Sequence, residues 1–277
     1  MPTVLILANE TIAGGALLDR IKEKAENGAR FFVVVPQTRP RHGNVIYDDV
    51  VRDSAQVRME LAVEYIRDLG AVGDGEVGDT DPFNAAMDAF RAQPIDEIIV
   101  GTKPVESSSW VKRDLVERLE EETGVPVEHV IVDVDKDGLP FDVTLVVANL
   151  TSASPELVER LKAIAEEGDK PARIILIVPQ DGRQGHRVRE ARQRGRRLLA
   201  SLDDAGIIAA GMIGDPDPYT AIMNAVQYFH ISEIVISTLP EGTSQWVADK
   251  LVDRVREATN VPVEHIEARS AEPAEAS

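Results

Sequence analysis

The sequence predicts an α/β protein in which one folding unit, a five-stranded parallel sheet with helices on both faces, occurs twice in tandem. The first observation behind this prediction is a duplication, because residues 78–130 align with residues 214–266 without a gap, at a constant offset of 136. About half of the aligned positions are identical, which chance similarity does not produce. Each copy spans more than about 120 residues, which is enough to bury a core of its own, so the repeated unit is a domain.

The second observation is an alternation of short apolar runs with amphipathic segments. Short apolar runs are typical of strands buried on both faces, and apolar residues three and four apart are typical of helices. Strands alternating with helices predict a right-handed, largely parallel sheet, a Rossmann-like three-layer sandwich. The predicted order in the first copy is strand 4–8, helix 14–27, strand 31–35, helix 55–69, strand 76–77, helix 82–92, strand 95–100, helix 109–122 and strand 125–134, with residues 38–53 irregular.

The second copy repeats this order. Its first elements are predicted as strand 144–148, helix 155–166, strand 174–178 and helix 187–202, and the duplicated block supplies the rest. Residues 135–142 (DKDGLPFD) are rich in turn formers and charge and are predicted to be a linker. We therefore predict domains at residues 1–134 and 143–268, followed by a disordered tail at 269–277, which is small, polar and Pro-containing.

Composition and net charge exclude several classes of function. The chain has 43% apolar and 28% charged residues and a formal net charge of −18. An acidic protein is poorly suited to bind nucleic acid or an anionic membrane, because phosphates are held largely by Lys and Arg. The absence of Cys excludes disulfides, thiol catalysis and thiolate metal sites. Residues 1–15 carry no cationic stretch and only a short apolar run, so we expect neither a signal peptide nor a membrane span, and a cytoplasmic protein.

Ligands of open parallel sheets bind beyond the carboxyl ends of strands, where the strand order reverses. Asn side chains at the end of the first strand could bind a base or ribose, and hydroxyl-rich loops that run into a helix could hold a phosphate. The same residues could instead bridge loop backbone or cap helices, as Ser108 and Ser244 would. The candidate nucleotide-binding residues are Asn9, Thr11, Pro36, Gly101, Thr102, Ser107 and Ser108 in the first copy, and Asn149, Thr151, Pro179, Ser237, Thr238, Thr243 and Ser244 in the second.

Trp110 and Trp246 follow these hydroxyl-rich loops. They could stack on a base, although aromatic residues in the first turn of a helix usually pack against a neighbouring element.

Other patterns are better explained structurally. Asp81 and Asp217 each precede a Pro, the arrangement of an N-cap followed by Pro at the first helical position, so a metal pair with the Asp two residues earlier is not favoured. The glycines at 73, 75 and 78 have the spacing of a dinucleotide fingerprint but precede a strand instead of following one. His129 and His265 are single histidines in the last strands, which favours a structural role. We therefore assign no metal site and no catalytic residue.

Seven Arg residues lie between positions 183 and 197: Arg183, Arg187, Arg189, Arg192, Arg194, Arg196 and Arg197. On a helix they cover more than one face, so one phosphate cannot use them all. We expect a solvated face that neutralises a neighbouring acidic surface, with anion or partner binding as the alternative.

The element order, the strands IDEIIVGT and ISEIVIST, and the ending ATNVPVEHI resemble the universal stress protein family. The resemblance implies a five-stranded sheet of the adenine nucleotide α-hydrolase-like type, ATP or another adenine nucleotide at the switch point in some members, and dimerisation through the last strand. In a tandem protein, Val125–Val134 would lie beside Val261–Ala268 in an internal pseudo-dimer, which would cover two edge strands. A homodimer of whole chains is the further possibility.

The sequence departs from the ATP-binding members of that family at two places. Those members carry an acidic residue at the end of the first strand, where this chain has Asn9 and Asn149. They also carry a Gly-x2-Gly-x9-Gly-Ser/Thr motif after the fourth strand, of which Gly101 remains, while Pro104 and Pro240 occupy the next glycine position.

The favoured hypothesis is a non-catalytic stress-response protein whose two domains form an internal pseudo-dimer. It could bind ATP or another adenine nucleotide weakly, and no cofactor is assigned with certainty. The first alternative is an enzyme that acts on an adenylylated or phosphorylated small molecule through the hydroxyl loops and an Asp. The second alternative is an interaction scaffold whose crevice is filled by side chains.

Overall fold

The computed structural model describes residues 1–104, 114–152, 154–180, 185–240 and 244–268. The chain divides into two compact units. The first contains Met1–Arg39 and Ser54–Pro140, and the second contains Pro40–Asp53 and Phe141–Ser277. The last division falls within the predicted linker 135–142. The grouping of Pro40–Asp53 with the second unit differs from the predicted boundaries, which place it in the first copy.

The first unit follows the predicted order of strands and helices. Its elements are β1 (Thr3–Leu7), α1 (Gly15–Glu26), β2 (Arg30–Pro36), α2 (Asp48–Asp68), β3 (Gly73–Gly78), α3 (Pro82–Ala92), β4 (Glu97–Thr102), α4 (Leu115–Thr123), β5 (Val127–Ile131) and the short helix α5 (Val134–Asp137). The first residues of α2, up to Asp53, belong to the second unit.

The second unit repeats the order. Its elements are β6 (Asp142–Val147), α6 (Pro155–Glu167), β7 (Ala172–Pro179), α7 (Gly185–Asp203), β8 (Ala209–Gly214), α8 (Pro218–Tyr228), β9 (Glu233–Thr238), α9 (Gln245–Ala248), α10 (Leu251–Ala258) and β10 (Val263–Glu267).

Each unit contains one five-stranded sheet. The strand order is β3-β2-β1-β4-β5 in the first and β10-β9-β6-β7-β8 in the second. Every pairing in both sheets is parallel. The predicted fold class, two tandem five-stranded parallel sheets with helices, is therefore confirmed. The order reverses between β1 and β4 and between β6 and β9, which fixes the switch points.

The cores lie between the sheets and their helices. All five residues of β1 are buried, as a central strand covered on both faces requires. In the first unit, Leu5 and Val100 belong to one apolar cluster with Ala85 of α3 and Leu119 of α4. In the second unit, the corresponding cluster joins residues of β6, β7, α6 and α7: Val146, Leu176, Leu157, Leu161, Leu198 and Leu202.

Helix α2 begins at Asp48, seven residues earlier than predicted. Its first turn carries Asp48 and Asp49, which favour a helix N-terminus, and Val50 and Val51 are buried. The apolar positions three and four apart start only later, so the sequence pattern alone missed this first part of the helix.

Candidate functional site

Parallel register brings the candidate residues of each unit to one edge of its sheet. Leu7 lies opposite both Val34 and Val100. Two residues further along these strands, Asn9 reaches the level of Pro36 and Thr102. In the second unit, Val147 lies opposite Ile177 and Ile236, which brings another set to one level: Asn149, Pro179 and Thr238.

Two candidate threonines join the loop after the first strand to the strand beyond the switch point. Thr11 Oγ1 donates to the carbonyl of Gly101 over 2.8 Å, and Thr151 Oγ1 donates to the carbonyl of Ser237 over 3.0 Å. Both hydroxyls are buried, and a buried carbonyl that lost its donor would be costly. These two side chains therefore hold the switch-point loops in place, which is the backbone-bridging role considered for them.

Two further candidate threonines, Thr102 and Thr238, pair with the single histidines of the last strands. Thr102 Oγ1 and His129 Nε2 share a hydrogen bond of 2.7 Å, and Thr238 Oγ1 and His265 Nε2 share one of 2.8 Å. The structure thus gives both histidines a structural partner in the neighbouring strand.

At the switch-point edge of the first unit, side chains of that unit form contacts between neighbouring loops. Asn9 Nδ2 donates to Thr38 Oγ1. The ammonium of Lys103 forms an ion pair with Glu10. These contacts link the loops after β1, β2 and β4 directly to one another.

Gly101 and Gln37 also serve packing in this unit. A Cβ at Gly101 would lie 2.8 Å from Leu17 Cδ2, so the absence of a side chain there makes room for helix α1. Gln37 Nε2 donates to the carbonyl of Gly78 over 3.2 Å. Close packing against Leu17 therefore accounts for the glycine at position 101, and contact with a phosphate is not needed to explain it.

The second unit differs at the equivalent positions. Ser237 replaces Gly101, and Leu150 and Leu239 replace Glu10 and Lys103, so the ion pair has no counterpart. Leu150 is 47% exposed.

Three polar groups at this second edge are buried and have no hydrogen-bond partner among the described residues. They are Ser152 Oγ, Gln180 Nε2 and Ser237 Oγ, on residues that are 0%, 3% and 1% exposed. Ser152 follows β6, Gln180 follows β7, and Ser237 lies at the end of β9, three neighbouring strands. A buried polar group without a partner costs about 1–3 kcal/mol, so this edge has unmet hydrogen-bonding capacity. At the first edge, Asn9 Oδ1 is a buried acceptor that also has no partner among the described residues.

Asp81 and Asp217 are helix N-caps, as predicted. Asp81 Oδ1 accepts from the backbone N–H of Phe83 and of Asn84, and Asp217 Oδ2 accepts from the N–H of Thr220. Within the described residues, no group of three or more His, Asp or Glu side chains could hold a metal ion.

The remaining candidates differ in what can be said of them. Ser107, Ser108 and Thr243, like Trp110 and Arg183, lie outside the described residues. Ser244 Oγ accepts from the N–H of Val247 over 3.4 Å, in agreement with its alternative role as a cap.

Sequence reasoning did not select Ser152 or Gln180 as site residues. Gln180 could have been found, because the run Val178-Pro179-Gln180 repeats Val35-Pro36-Gln37 at the end of the second strand. Nothing in the neighbouring sequence distinguishes Gln37, whose amide bonds to Gly78, from Gln180, whose Nε2 has no partner among the residues described.

No helix in the described part of the chain combines the length and the apolar character that a membrane crossing requires.

No protein-family model matches the sequence, and no curated protein matches it either. Two solved structures that the chain resembles are universal stress proteins. One, from Archaeoglobus fulgidus DSM 4304, has 16% sequence identity and a TM-score of 0.35, with 96% of each chain covered. The other, a protein from the universal stress protein family from Burkholderia pseudomallei, has 21% identity and a TM-score of 0.33, covering 47% of this chain and 99% of that one.

Proposed function

We propose that this is a non-catalytic stress-response protein of the universal stress type that binds a small polar ligand, an adenine nucleotide, at the switch-point edge of its second unit. The proposal rests on three buried polar atoms that have no hydrogen-bond partner within the described part of the chain, on Ser152, Gln180 and Ser237. A ligand that accepts their hydrogen bonds would remove the cost of leaving them unpaired.

The chemistry of these groups suits an oxygen-rich ligand. An amide NH₂ can only donate, and a serine hydroxyl can donate or accept. Phosphate, ribose and the ring nitrogens of adenine all present acceptors. The chain's net charge of −18 opposes a highly charged anion, which agrees with weak binding.

The first unit is a poor second site. Its equivalent glutamine, Gln37, is already bonded to Gly78, and the ion pair of Glu10 with Lys103 spans the loops that would have to accommodate a ligand. This unit fits the scaffold hypothesis, in which side chains fill the crevice. We therefore expect one ligand per chain.

The Asp carboxylates and Thr hydroxyls that an enzyme would use here are already hydrogen-bonded to the backbone, which supports a binding role over an enzymatic one. Asp79 and Asp215, which the enzyme hypothesis would use, each accept a backbone N–H two residues ahead, over 2.7 Å and 2.9 Å. The hydroxyls of Thr11 and Thr151 are bonded to buried carbonyls, so they are not available as nucleophiles without breaking the loops.

The assembly expected from the resemblance stays a prediction. β5 and β10 are edge strands of their own sheets, and most of their residues are only partly buried. Such edges can pair with another strand, which would give the internal pseudo-dimer or a homodimer of chains. The cytoplasmic location also stays a prediction.

Isothermal titration calorimetry tests the binding proposal with ATP, ADP, AMP and adenosine as separate ligands. We expect a stoichiometry of one, and a loss of about tenfold or more in affinity for Gln180→Leu, the amount that one hydrogen bond to a charged group contributes. The matched control is Gln37→Leu at the equivalent position of the first unit, which should bind like the unaltered protein.

Two results would contradict the proposal. One is the absence of heat with all four ligands, together with the absence of any retained nucleotide in native mass spectrometry of protein from its own host. The other is rapid multiple-turnover hydrolysis of ATP, which would favour the enzyme hypothesis.

A further inference from the structure

The stretch Pro40–Asp53 lies between two elements of the first unit, β2 and α2, but belongs to the second unit. The chain leaves the first unit after Arg39 and returns to it at Ser54. The second unit is thus assembled from two stretches that are far apart in sequence.

Helix α8 holds the start of this stretch by its backbone. Asn224, which is 3% exposed, accepts the N–H of His42 over 3.0 Å and donates its own amide to the carbonyl of the same residue over 3.2 Å. Gln227 Oε1 accepts the N–H of Arg41 over 2.9 Å. Because these bonds reach main-chain atoms, they fix the segment around His42 at a defined position along α8.

Gly43 lets the stretch pass close to α8. Its φ is +97°, a conformation that favours glycine, and a Cβ there would lie 3.0 Å from Thr220 Cγ2. A larger residue would meet both strain and a steric conflict.

Asp53 fixes the other end of the stretch against α7 and β8. Its side chain is 12% exposed and forms an ion pair with Arg192 at 2.8 Å. It also accepts the backbone N–H of Ile213 over 3.2 Å. β8 is an edge strand of the second sheet, so Asp53 satisfies a donor that this edge would otherwise present.

These contacts also explain part of the arginine run in α7. Arg192 lies 2.8 Å from Asp53 and 3.7 Å from Asp49, so one of the seven arginines neutralises acidic residues at the start of α2. The sequence led us to expect that these arginines neutralise a neighbouring acidic surface, and Arg192 is one residue that does so.

The first unit does not carry the same clamp. The positions equivalent to Asn224 and Gln227 hold Asp88 and Arg91, and both side chains are 69% exposed. A carboxylate at position 88 could accept from a backbone N–H but could not donate to a carbonyl, so it cannot make both bonds that Asn224 makes.

We propose that Pro40–Asp53 completes the second unit, so that residues 141–268 do not reach the native fold of that unit without this stretch. The two repeats are then interlaced by a segment of the first copy, and the duplicated modules no longer fold as independent domains. The surface that receives the segment is formed by α8, the outer edge of β8 and Arg192.

Hydrogen exchange of the full-length chain, followed by mass spectrometry of its peptides, tests the proposal. In the unaltered protein we expect slow exchange in residues 48–53. In Asn224→Asp we expect exchange at least about tenfold faster in residues 40–53 and in the peptides of β8 and α8. The matched control, Asp88→Asn at the equivalent position of the first unit, should exchange like the unaltered protein.

Arg192→Gln is the second variant, in case Asn224→Asp does not fold. It removes the cation beside Asp53 from a side chain that is 36% exposed, and leaves the backbone clamp intact. We expect faster exchange in the peptides that contain Asp53 and Ile213. Fast exchange of residues 48–53 in the unaltered protein, or second-unit exchange that neither variant changes, would overturn the proposal.

Discussion

Gly78, the last residue of β3, tests how closely the first sheet packs against helix α3. Gly78 does not have a positive φ, so an alanine there would cause no backbone strain. Its Cβ, however, would lie 2.5 Å from Ala85 Cβ and 3.0 Å from Val34 Cγ1. Carbon atoms in contact need about 3.5–4.0 Å, and a methyl group cannot rotate out of the way. We expect Gly78→Ala to lower the free energy of unfolding by about 1–3 kcal/mol through overpacking.

Gly195 provides a control with the opposite sign. It lies inside α7, and a Cβ there would meet its nearest neighbour, Val178 Cγ2, at 3.4 Å, which is close to an ordinary contact. Glycine in a helix interior is less stable than alanine by about 0.5–1 kcal/mol. Gly195→Ala should therefore raise the free energy of unfolding by about that amount.

Urea unfolding monitored by circular dichroism measures both changes, with the slope m compared among variants to check that the unfolding transition is the same. The double variant Gly78→Ala with Ala85→Gly removes the nearest atom and should recover about 1 kcal/mol relative to the sum of the single changes. If Gly78→Ala is as stable as the unaltered protein, or if the double variant recovers nothing, then a Cβ at position 78 does not overpack this part of the core.

Three further changes test the local contacts. Thr151→Val leaves the buried carbonyl of Ser237 without its donor, so we expect a loss of about 1–3 kcal/mol in chemical denaturation, whereas Thr151→Ser should keep most of the stability. Asp217→Ala removes the cap on the N–H of Thr220 and should cost about 1 kcal/mol, and an equal stability of Asp217→Asn and Asp217→Ala would argue against capping. Burial raises the pKa of Asp215 above its ordinary value of 3.8, so the folded state holds the proton more tightly and this carboxyl weakens stability as the pH rises through that raised pKa. Asp215→Asn should therefore gain stability relative to the unaltered protein as the pH rises, with no gain below pH 3.8, and a constant difference in unfolding midpoint at every pH would contradict this.

The fold was predictable because its evidence is local and repeated. The central strands are short apolar runs, the helices carry apolar residues three and four apart, and the duplication repeats this pattern in the second half of the chain. The caps at Asp81 and Asp217 were predictable for the same reason, since an Asp before a Pro needs only its own neighbours to become an N-cap.

The site was only partly predictable because its properties depend on distant partners. Gln37 and Gln180 occupy equivalent positions after identical Val-Pro pairs, yet the amide of Gln37 bonds to Gly78, whereas Gln180 Nε2 has no partner in the ranges that the structure describes. The grouping of Pro40–Asp53 with the second unit depends on Asn224, more than 180 residues along the chain from His42. No periodic pattern in the sequence predicts the difference between the two glutamines or the grouping of Pro40–Asp53 with the second unit.

The interlaced path of the chain imposes an order on biosynthesis. When the ribosome has made Pro40–Asp53, the residues that will receive this stretch do not yet exist, and Asn224 is added about 170 residues after Asp53. At about 5–20 residues per second, the stretch waits on the order of ten to thirty seconds for its docking surface. Five residues of the stretch, Arg41, His42, Asn44, Asp48 and Asp49, are polar, which suits a segment that stays hydrated on a nascent chain. The stretch cannot dock until helix α8 has been translated.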